Sequence, residues 1–421
     1  MTIAREIVIT GTGVVSPIGI GSESFWDALC QGRSGVRCLD LFDGSDMTPA
    51  LGADVVDFDP KQYVRPRKSL KVMSRDIQLG FAAADMACQE AGLTGDAIDP
   101  ERLGVVFGGD MITCDLYELR PAFARCMVDG HFDFGRWGES AAAEMFPLWM
   151  LKYLPNMPAC HIGIAHDARG PNNSPTLGEV SGLAAIIEAV RVLQRGQADA
   201  MIAGGVGSRI QPAIWAYGRA YQFASRVDDP FSAVRPFDAD RDGLVHGEGA
   251  GALLLETCEH AEARGATILA RIGAFAAGFE PCADDQVPTG SAIRQTIERV
   301  LEDSGLAADQ IGHVNANGLS TPTNDRVEAQ AIHDALGGVP VTALKSYFGS
   351  LGAGGAAVET VASVLAFRHG QVPPTLNYQR PDPECPVNVI HDEPMPLDKP
   401  TALVLNQTRM TQAMALLLMA P

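Results

Sequence analysis

Three short runs hold residue types that could do chemistry. Gly11-Thr12-Gly13-Val14-Val15-Ser16 follows a β-branched run, the setting in which a glycine turn can hold a dinucleotide pyrophosphate. That fingerprint needs a third glycine so that the helix can pack on the strand, and Ser16 stands there instead. The run therefore reads as a strand followed by a plain turn. Gly178-Glu179-Val180-Ser181-Gly182 has the residues of a hydrolase elbow in the wrong order, because G-x-S-x-G puts Ser two places after the first Gly. Ser181 reads as an ordinary first-turn helix residue. Phe237-Asp238-Ala239-Asp240-Arg241-Asp242-Gly243-Leu244-Val245-His246-Gly247-Glu248-Gly249-Ala250-Gly251 is rich in acids but lacks calcium-loop spacing. The nine cysteines include no CxxC pair and no zinc-like His spacing, so neither metal nor cofactor is expected. His161, His166 and His246 read as surface or satisfied core histidines.

The elements that must position such residues alternate β-branched runs with helical patterns, the grammar of a mainly parallel sheet covered by helices. Strands are predicted at Glu6–Thr10, Arg102–Gly109, Ala200–Ala203, Gly249–Glu256, Ile311–Asn315, Thr401–Asn406 and Gln412–Met419. Helices are predicted over 74–92, over the apolar stripe Leu183, Ile186, Ile187, Val190 and Leu193 capped near Gly196, and over 288–305, 324–336 and 352–369. An aromatic, Met-rich stretch at about 110–160 breaks the pattern and reads as an excursion. Two halves of similar grammar, 1–255 and 256–421, suggest an internal duplication.

A net charge of -19 disfavours nucleic acid and anionic membrane surfaces as partners. Scattered thiols and the absence of an apolar run of about 18 residues point to a cytoplasmic protein. Within this acidic chain Lys61, Arg65, Arg67, Lys68, Lys71 and Arg75 form a basic stretch, either a solvated face or a docking site for an acidic partner.

Pro236 with the Phe237–Gly251 run resembles the P-F-D-x-x-R-D-G-F-V-x-G-E-G-A-G segment of β-ketoacyl-ACP synthases, with Leu244 in the Phe position. Ile9–Gly19 resembles that family's V-T-G-x-G-x-x-S-P-x-G start, Ala198–Gly205 its A-D-x-M-x-A-G-G strand, Ser320–Glu328 its S-T-P-x-N-D-x-x-E segment, and Lys345-Ser346 its K-S before a glycine turn. The resemblance implies an α/β thiolase-like fold: two similar halves in a layered α-β-α-β-α core.

It also exposes departures. Glu179 stands where the family has its nucleophilic Cys, in Gly170–Gly182 against G-P-x-x-S-x-x-x-x-C-x-S-G. Asn317 takes the His of N-A-H-G-T-S-T-P, and Ser350 the His of K-S-x-x-G-H, while Lys345 is retained. Leu319 replaces a Thr that in the family bonds the pantetheine arm, and Thr321 keeps the second such position. Asn406–Gln412 replaces N-S-F-G-F-G-G, with Met410 at the second, tunnel-gating Phe. Thr321 and Met410 are thus the substrate-binding positions, and three glycines' freedom is lost.

Claisen condensation needs a thiolate and two donors for the thioester enolate, and Glu179, Asn317 and Ser350 do not supply them. The resemblance implies a chain-length-factor-like subunit in fatty-acid or polyketide biosynthesis, paired with an active ketosynthase as a heterodimer, with an acyl carrier protein as a further partner docking at Lys61, Arg65, Arg67, Lys68 and Lys71. The dimer is expected through the strand after the Glu179 helix. Two alternatives stay open: a repurposed enzyme on acyl thioesters with Glu179, held ionised by the helix dipole, as general base, and an acyl-binding homodimer.

Overall fold

The computed structural model describes residues 5–40, 50–93, 97–217, 221–283 and 286–421. Eleven strands form its main sheet path: β1 (Ile7–Ser16), β2 (Leu103–Gly109), β3 (Asn172–Asn173), β4 (Ala200–Ser208), β5 (His246–Thr257), β6 (Ala270–Phe279), β7 (His313–Asn315), β8 (Pro340–Thr342), β9 (Asn388–Val389), β10 (Thr401–Gln407) and β11 (Gln412–Met419). From β1 outward the order is β5, β4, β2, β3, with two antiparallel and then two parallel pairings. From β6 outward it is β11, β10, β7, β8, with the same succession, and β9 adds to β8. The two arms meet where β1 and β6 pair antiparallel, Val8 opposite Arg271 and Ile9 opposite Ala270.

Five helices complete the layers: α1 (Arg75–Glu90), α2 (Ser181–Gln194), α3 (Ser291–Ser304), α4 (Pro322–Leu336) and α5 (Gly355–His369). Ser74 caps α1, its hydroxyl accepting from the Ile77 N–H. α1 covers β1, β4 and β5 on one outer face; α3 covers β6 and β11 on the other, with α4 beside it. α2 and α5 lie between the arms and touch strands of both. α5 is covered on every side, with residues 355–366 buried and its few polar side chains there, Glu359, Thr360 and Ser363, set among small and apolar ones.

Close approach of backbones explains several glycines. The structure shows no turn at Gly11-Thr12-Gly13: β1 runs on to Ser16, with a register shift between Ile9 and Gly11. α1 crosses that strand, and a Cβ on Gly11 or Gly13 would overlap the Ala87 or Ala83 carbonyl oxygen. β6 was not predicted from sequence. Its ARIGAFAAGF is mostly Ala and Gly, poor in the β-branched residues that mark a strand. The 110–160 excursion forms surface helices Leu116–Cys126 and Trp137–Glu144 with a two-stranded hairpin between them.

One correction concerns assembly. β4, the strand after the Glu179 helix, pairs with β5 on one side and β2 on the other, so its backbone has no free edge for a second subunit. The edge of this arm is β3.

Gly205 tests the central packing, because a Cβ there would overlap the Ala353 carbonyl oxygen and sit 2.7 Å from the Gly182 Cα. Gly205→Ala is expected to cost about 1–3 kcal/mol by overpacking, read as a lower urea midpoint; an unchanged midpoint would contradict this account of the layers.

Candidate functional site

Parallel strands β2 and β4 lie side by side and end at Gly109 and Ser208. The next residue on one is Asp110 and on the other Arg209, so opposite charges emerge at the carboxyl ends of adjacent strands, where ligands gather in open α/β sheets. Their side chains meet: Arg209 Nε donates to Asp110 Oδ2 at 3.0 Å and Nη2 to Oδ1 at 3.2 Å. Arg209 Nη1 reaches further and donates to Glu179 Oε1 at 2.6 Å. Arg209 and Glu179 are buried. Burial works against the Arg209 charge, yet Asp110 and Glu179 outweigh it and hold the guanidinium well above its ordinary range.

Two helices add to this relay. Glu179 sits in the turn Gly178–Val180 that opens α2, with Ser181 donating to the Gly178 carbonyl at 2.7 Å. Asp110 Oδ2 also accepts from the Ala353 N–H at 3.1 Å, in the turn that opens α5. Two carboxylates and one guanidinium leave one net negative charge, and both helices present positive N-terminal ends to it. The arrangement is tight, since a Cβ on Gly352 would overlap Asp110 Oδ2.

A cavity of about 170 Å³ opens beside the relay, with Glu179, Arg209, Tyr221, Leu319, Thr321, Ser350 and Arg409 among its lining. Of the positions predicted from sequence, Glu179, Ser350 and Thr321 therefore share one wall. The Thr321 hydroxyl is buried with no hydrogen-bond partner among the described residues. Arg409 packs over the Tyr221 ring at 5.2 Å. His246, on the strand beside Ser350, is fully buried with its ring edge-on to Tyr221 and Phe223; burial, aided by Arg209, lowers its pKa to about 3, so it stays neutral at physiological pH.

Asn317 and Lys345 are absent from that wall. Asn317 accepts on Oδ1 from Asn406 Nδ2 at 3.2 Å, and its backbone N–H and that of Gly318 donate to the Glu328 carboxylate at 2.7 and 2.8 Å. Lys345 Nζ is buried on Glu359 Oε1 at 2.5 Å. Burial pushes Glu328 up to about 7, with Asp325 adding to it while the Gly318 N–H pulls the other way. Met410 is 74% exposed and does not line the cavity; its neighbour Arg409 does. The Asn406–Gln412 loop closes a hairpin between β10 and β11, and Thr411 holds φ 63° there, a strained conformation for a β-branched residue.

Lys61, Arg65, Arg67, Lys68 and Lys71 are exposed, carried by turns Pro60–Gln62 and Arg67–Val72 and, for Arg65, the link between them, rather than by one helix. Arg75 differs, since it donates to the buried Glu248 at 2.8 Å and to the Val55 carbonyl at 2.5 Å. The acidic run is a clasp: Asp238 accepts from the Gln379 and Arg380 N–H groups at 2.8 and 2.7 Å, and Arg241 binds Asp382 at 2.6 Å and the Pro322 carbonyl at 3.0 Å. No cluster of three or more metal-ligating residues occurs among the described residues, and none of the described helices is long and apolar enough to cross a membrane.

Family models describe residues 4–261 as a beta-ketoacyl synthase N-terminal domain and 270–379 as its C-terminal domain. The chain belongs to the β-ketoacyl synthase family. It is 35% identical over 393 residues to a 3-oxoacyl-[acyl-carrier-protein] synthase 2 of Synechocystis, covering 92% of this chain and 91% of that one. It is also similar to the ishigamide ketosynthase/chain length factor, with TM-score 0.85 and 29% identity over 99% of this chain and all of that one. A further neighbour comes from a type II PKS acyl-carrier protein in complex with its ketosynthase bound to the hexaketide, with TM-score 0.84, 28% identity and the same coverage. The family works in fatty-acid and polyketide synthesis, and the thiolase-like ketosynthase fold is shared throughout.

Arg209 and Asp110 escaped the sequence reading, although a Gly-rich strand end followed at once by a charge, on two neighbouring strands, was a usable signal.

Two measurements test the site's electrostatics. Arg209→Met strands two carboxylates and is expected to cost about 3–5 kcal/mol, with most of it regained in the neutral triple variant Asp110→Asn/Glu179→Gln/Arg209→Met; equal urea midpoints for wild type and Arg209→Met would contradict the relay. Glu328 has a folded pKa near 7 against an ordinary 4.5, so it binds its proton more tightly folded and its contribution to stability falls as pH rises from about 4.5 to 7. Glu328→Gln should make the stability–pH slope less negative in that window, and an identical slope would refute the shift.

Proposed function

We propose that this chain is a catalytically inactive ketosynthase-like subunit, a chain-length-factor-like partner of an intact β-ketoacyl-ACP synthase in fatty-acid or polyketide biosynthesis. The observation that carries this reading is the Glu179–Arg209 ion pair at the nucleophile position. A carboxylate there cannot hold an acyl group as a stable thioester, and Asn317 and Ser350 cannot supply imidazole chemistry at the other two positions. The pair also weighs against Glu179 as a general base. Accepting a proton would cancel its attraction to Arg209 at 2.6 Å and leave that buried guanidinium with Asp110 alone.

A partner subunit is supported by the surface of the excursion. Phe123, Phe132 and Trp137 cluster at ring distances of 5.1 and 5.2 Å, and Phe134 stands beside Phe132 at 76% exposure. An exposed aromatic patch of this kind suits a large apolar interface. The structural neighbour described as a ketosynthase/chain length factor makes an intact ketosynthase the partner of choice. The exposed cations Lys61, Arg65, Arg67, Lys68 and Lys71, in a chain of net charge -19, suit steering of an acidic acyl carrier protein in the cytoplasm.

The purified chain is expected to release no carbon dioxide from malonyl carrier protein above background, and co-expression with an intact ketosynthase to give a one-to-one complex by native mass spectrometry. Decarboxylation by the chain alone, or homodimers only, would sink the reading. Glu179→Cys/Asn317→His/Ser350→His is expected to gain no acyl mass from an acyl thioester, because Arg209 and the hairpin at Arg409 still crowd the pocket; a shift of one acyl group would show an open, recently silenced site.

A further inference from the structure

The exposed cations share a loop whose two ends meet on one buried carboxylate. Glu248, on β5, is 2% exposed. Its Oε1 accepts from the Val55 N–H at 3.0 Å and from Arg75 Nη2 at 2.8 Å, so residues 55 and 75 are held at the same atom. Arg75 closes the ring from its own side: Nη2 also donates to the Val55 carbonyl at 2.5 Å, and the guanidinium lies over the Phe58 ring, 5.1 Å from its centre. Glu248 Oε2 accepts from the Ser208 hydroxyl at 2.9 Å, which moors the clamp to the end of β4. Lys61, Arg65, Arg67, Lys68 and Lys71 all fall between the two ends, with Asp57 and Asp59 as the only acids. Phe58, Val64 and Met73 are buried, so the loop packs down on its apolar side chains while its cations face out.

We propose that Glu248 is the positioning residue of a carrier-protein docking surface: by clamping both ends of the 55–75 loop, it presents the loop's cations to an acidic carrier in one fixed arrangement. This rests on the reading that those cations dock a carrier. Charges on an untied loop would still attract an acid at long range, but each docking would have to order the loop, and that lost entropy subtracts from affinity. A loop already closed at its base keeps this cost out of the binding step. The carboxylate must be ionised, because one oxygen serves a backbone N–H and a guanidinium together, and hydrogen bonds between charged groups are the stronger kind. Arg75 is therefore an anchor of the surface, whereas Lys68 and Lys71 belong to its face.

The test measures binding of a fluorescently labelled acyl carrier protein to the full chain by anisotropy at low ionic strength. Glu248→Gln removes a negative charge from behind the cations, so electrostatics alone would leave binding unchanged or tighten it. The clamp predicts the opposite, a loss of at least about fivefold, because an amide holds Arg75 less firmly. Arg75→Gln and Lys71→Gln each remove one positive charge, but only the first unties the loop, so losses of about tenfold and about twofold are expected. Hydrogen exchange at the Val64 and Ser69 amides, which bond within the loop, should quicken in Glu248→Gln and Arg75→Gln and stay as in wild type in Lys71→Gln. Binding by Glu248→Gln as tight as wild type overturns the proposal, and so do equal losses for Arg75→Gln and Lys71→Gln. If Glu248→Gln does not fold, the comparison of Arg75→Gln with Lys71→Gln decides. Failure of the docking reading looks different: Lys68→Gln/Lys71→Gln would bind the carrier like wild type, and the proposal would fall with it.

Discussion

A guanidinium buried between two carboxylates is the constraint on which the site depends. Arg209 cannot lose its charge and is about nine-tenths buried, so the chain must keep Asp110 and Glu179 in place or unfold locally. The three charged groups come from three separate segments: the ends of β2 and β4 and the turn that opens α2. The Ala353 N–H brings in a fourth, the turn that opens α5. Both helices between the sheet arms therefore aim their N-terminal ends at one net negative charge. In this fold such a convergence is suited to activating a nucleophile; here it stabilises a fixed ion relay.

Around the relay, buried polar groups are tied to one another. Lys345 lies on Glu359, Glu328 holds the backbone of Asn317 and Gly318, and the Asp238 and Arg241 clasp ties the 320–325 loop to residues 379–382. Lys345, Glu359, Glu328, Asp238 and Arg241 are buried, so removing one would leave its partner unpaired. Catalytic side chains carry no such debt to the fold. In the proposed reading a carboxylate at position 179 is compatible with the fold because Arg209 compensates its charge.

How much of this was legible in the sequence follows from the range of each interaction. α2 was readable because its apolar stripe is local, and Glu179 because it stands at the tenth place of a motif whose other fixed residues, Gly170, Pro171, Ser174, Ser181 and Gly182, surround it. β6 was not readable, since its Ala and Gly are chosen by what packs on them rather than by strand propensity. Gly11 and Gly13 were read as a turn, whereas they answer to a helix more than 70 residues away. Arg209 meets Asp110 across 99 residues and Glu179 across 30, and only the parallel pairing of β2 and β4 makes those separations short. Met410 was assigned by alignment to a gating residue, but its loop forms a tight hairpin that turns the side chain outward.

The central claim is that this chain shapes a pocket and carries no acyl group. The most direct measurement loads the co-expressed complex with a long acyl thioester, digests it, and locates the acyl group by mass spectrometry. The account predicts the adduct on the intact ketosynthase's nucleophilic cysteine and none on any residue of this chain. An acyl adduct on Glu179, Ser350 or any other residue here would contradict it.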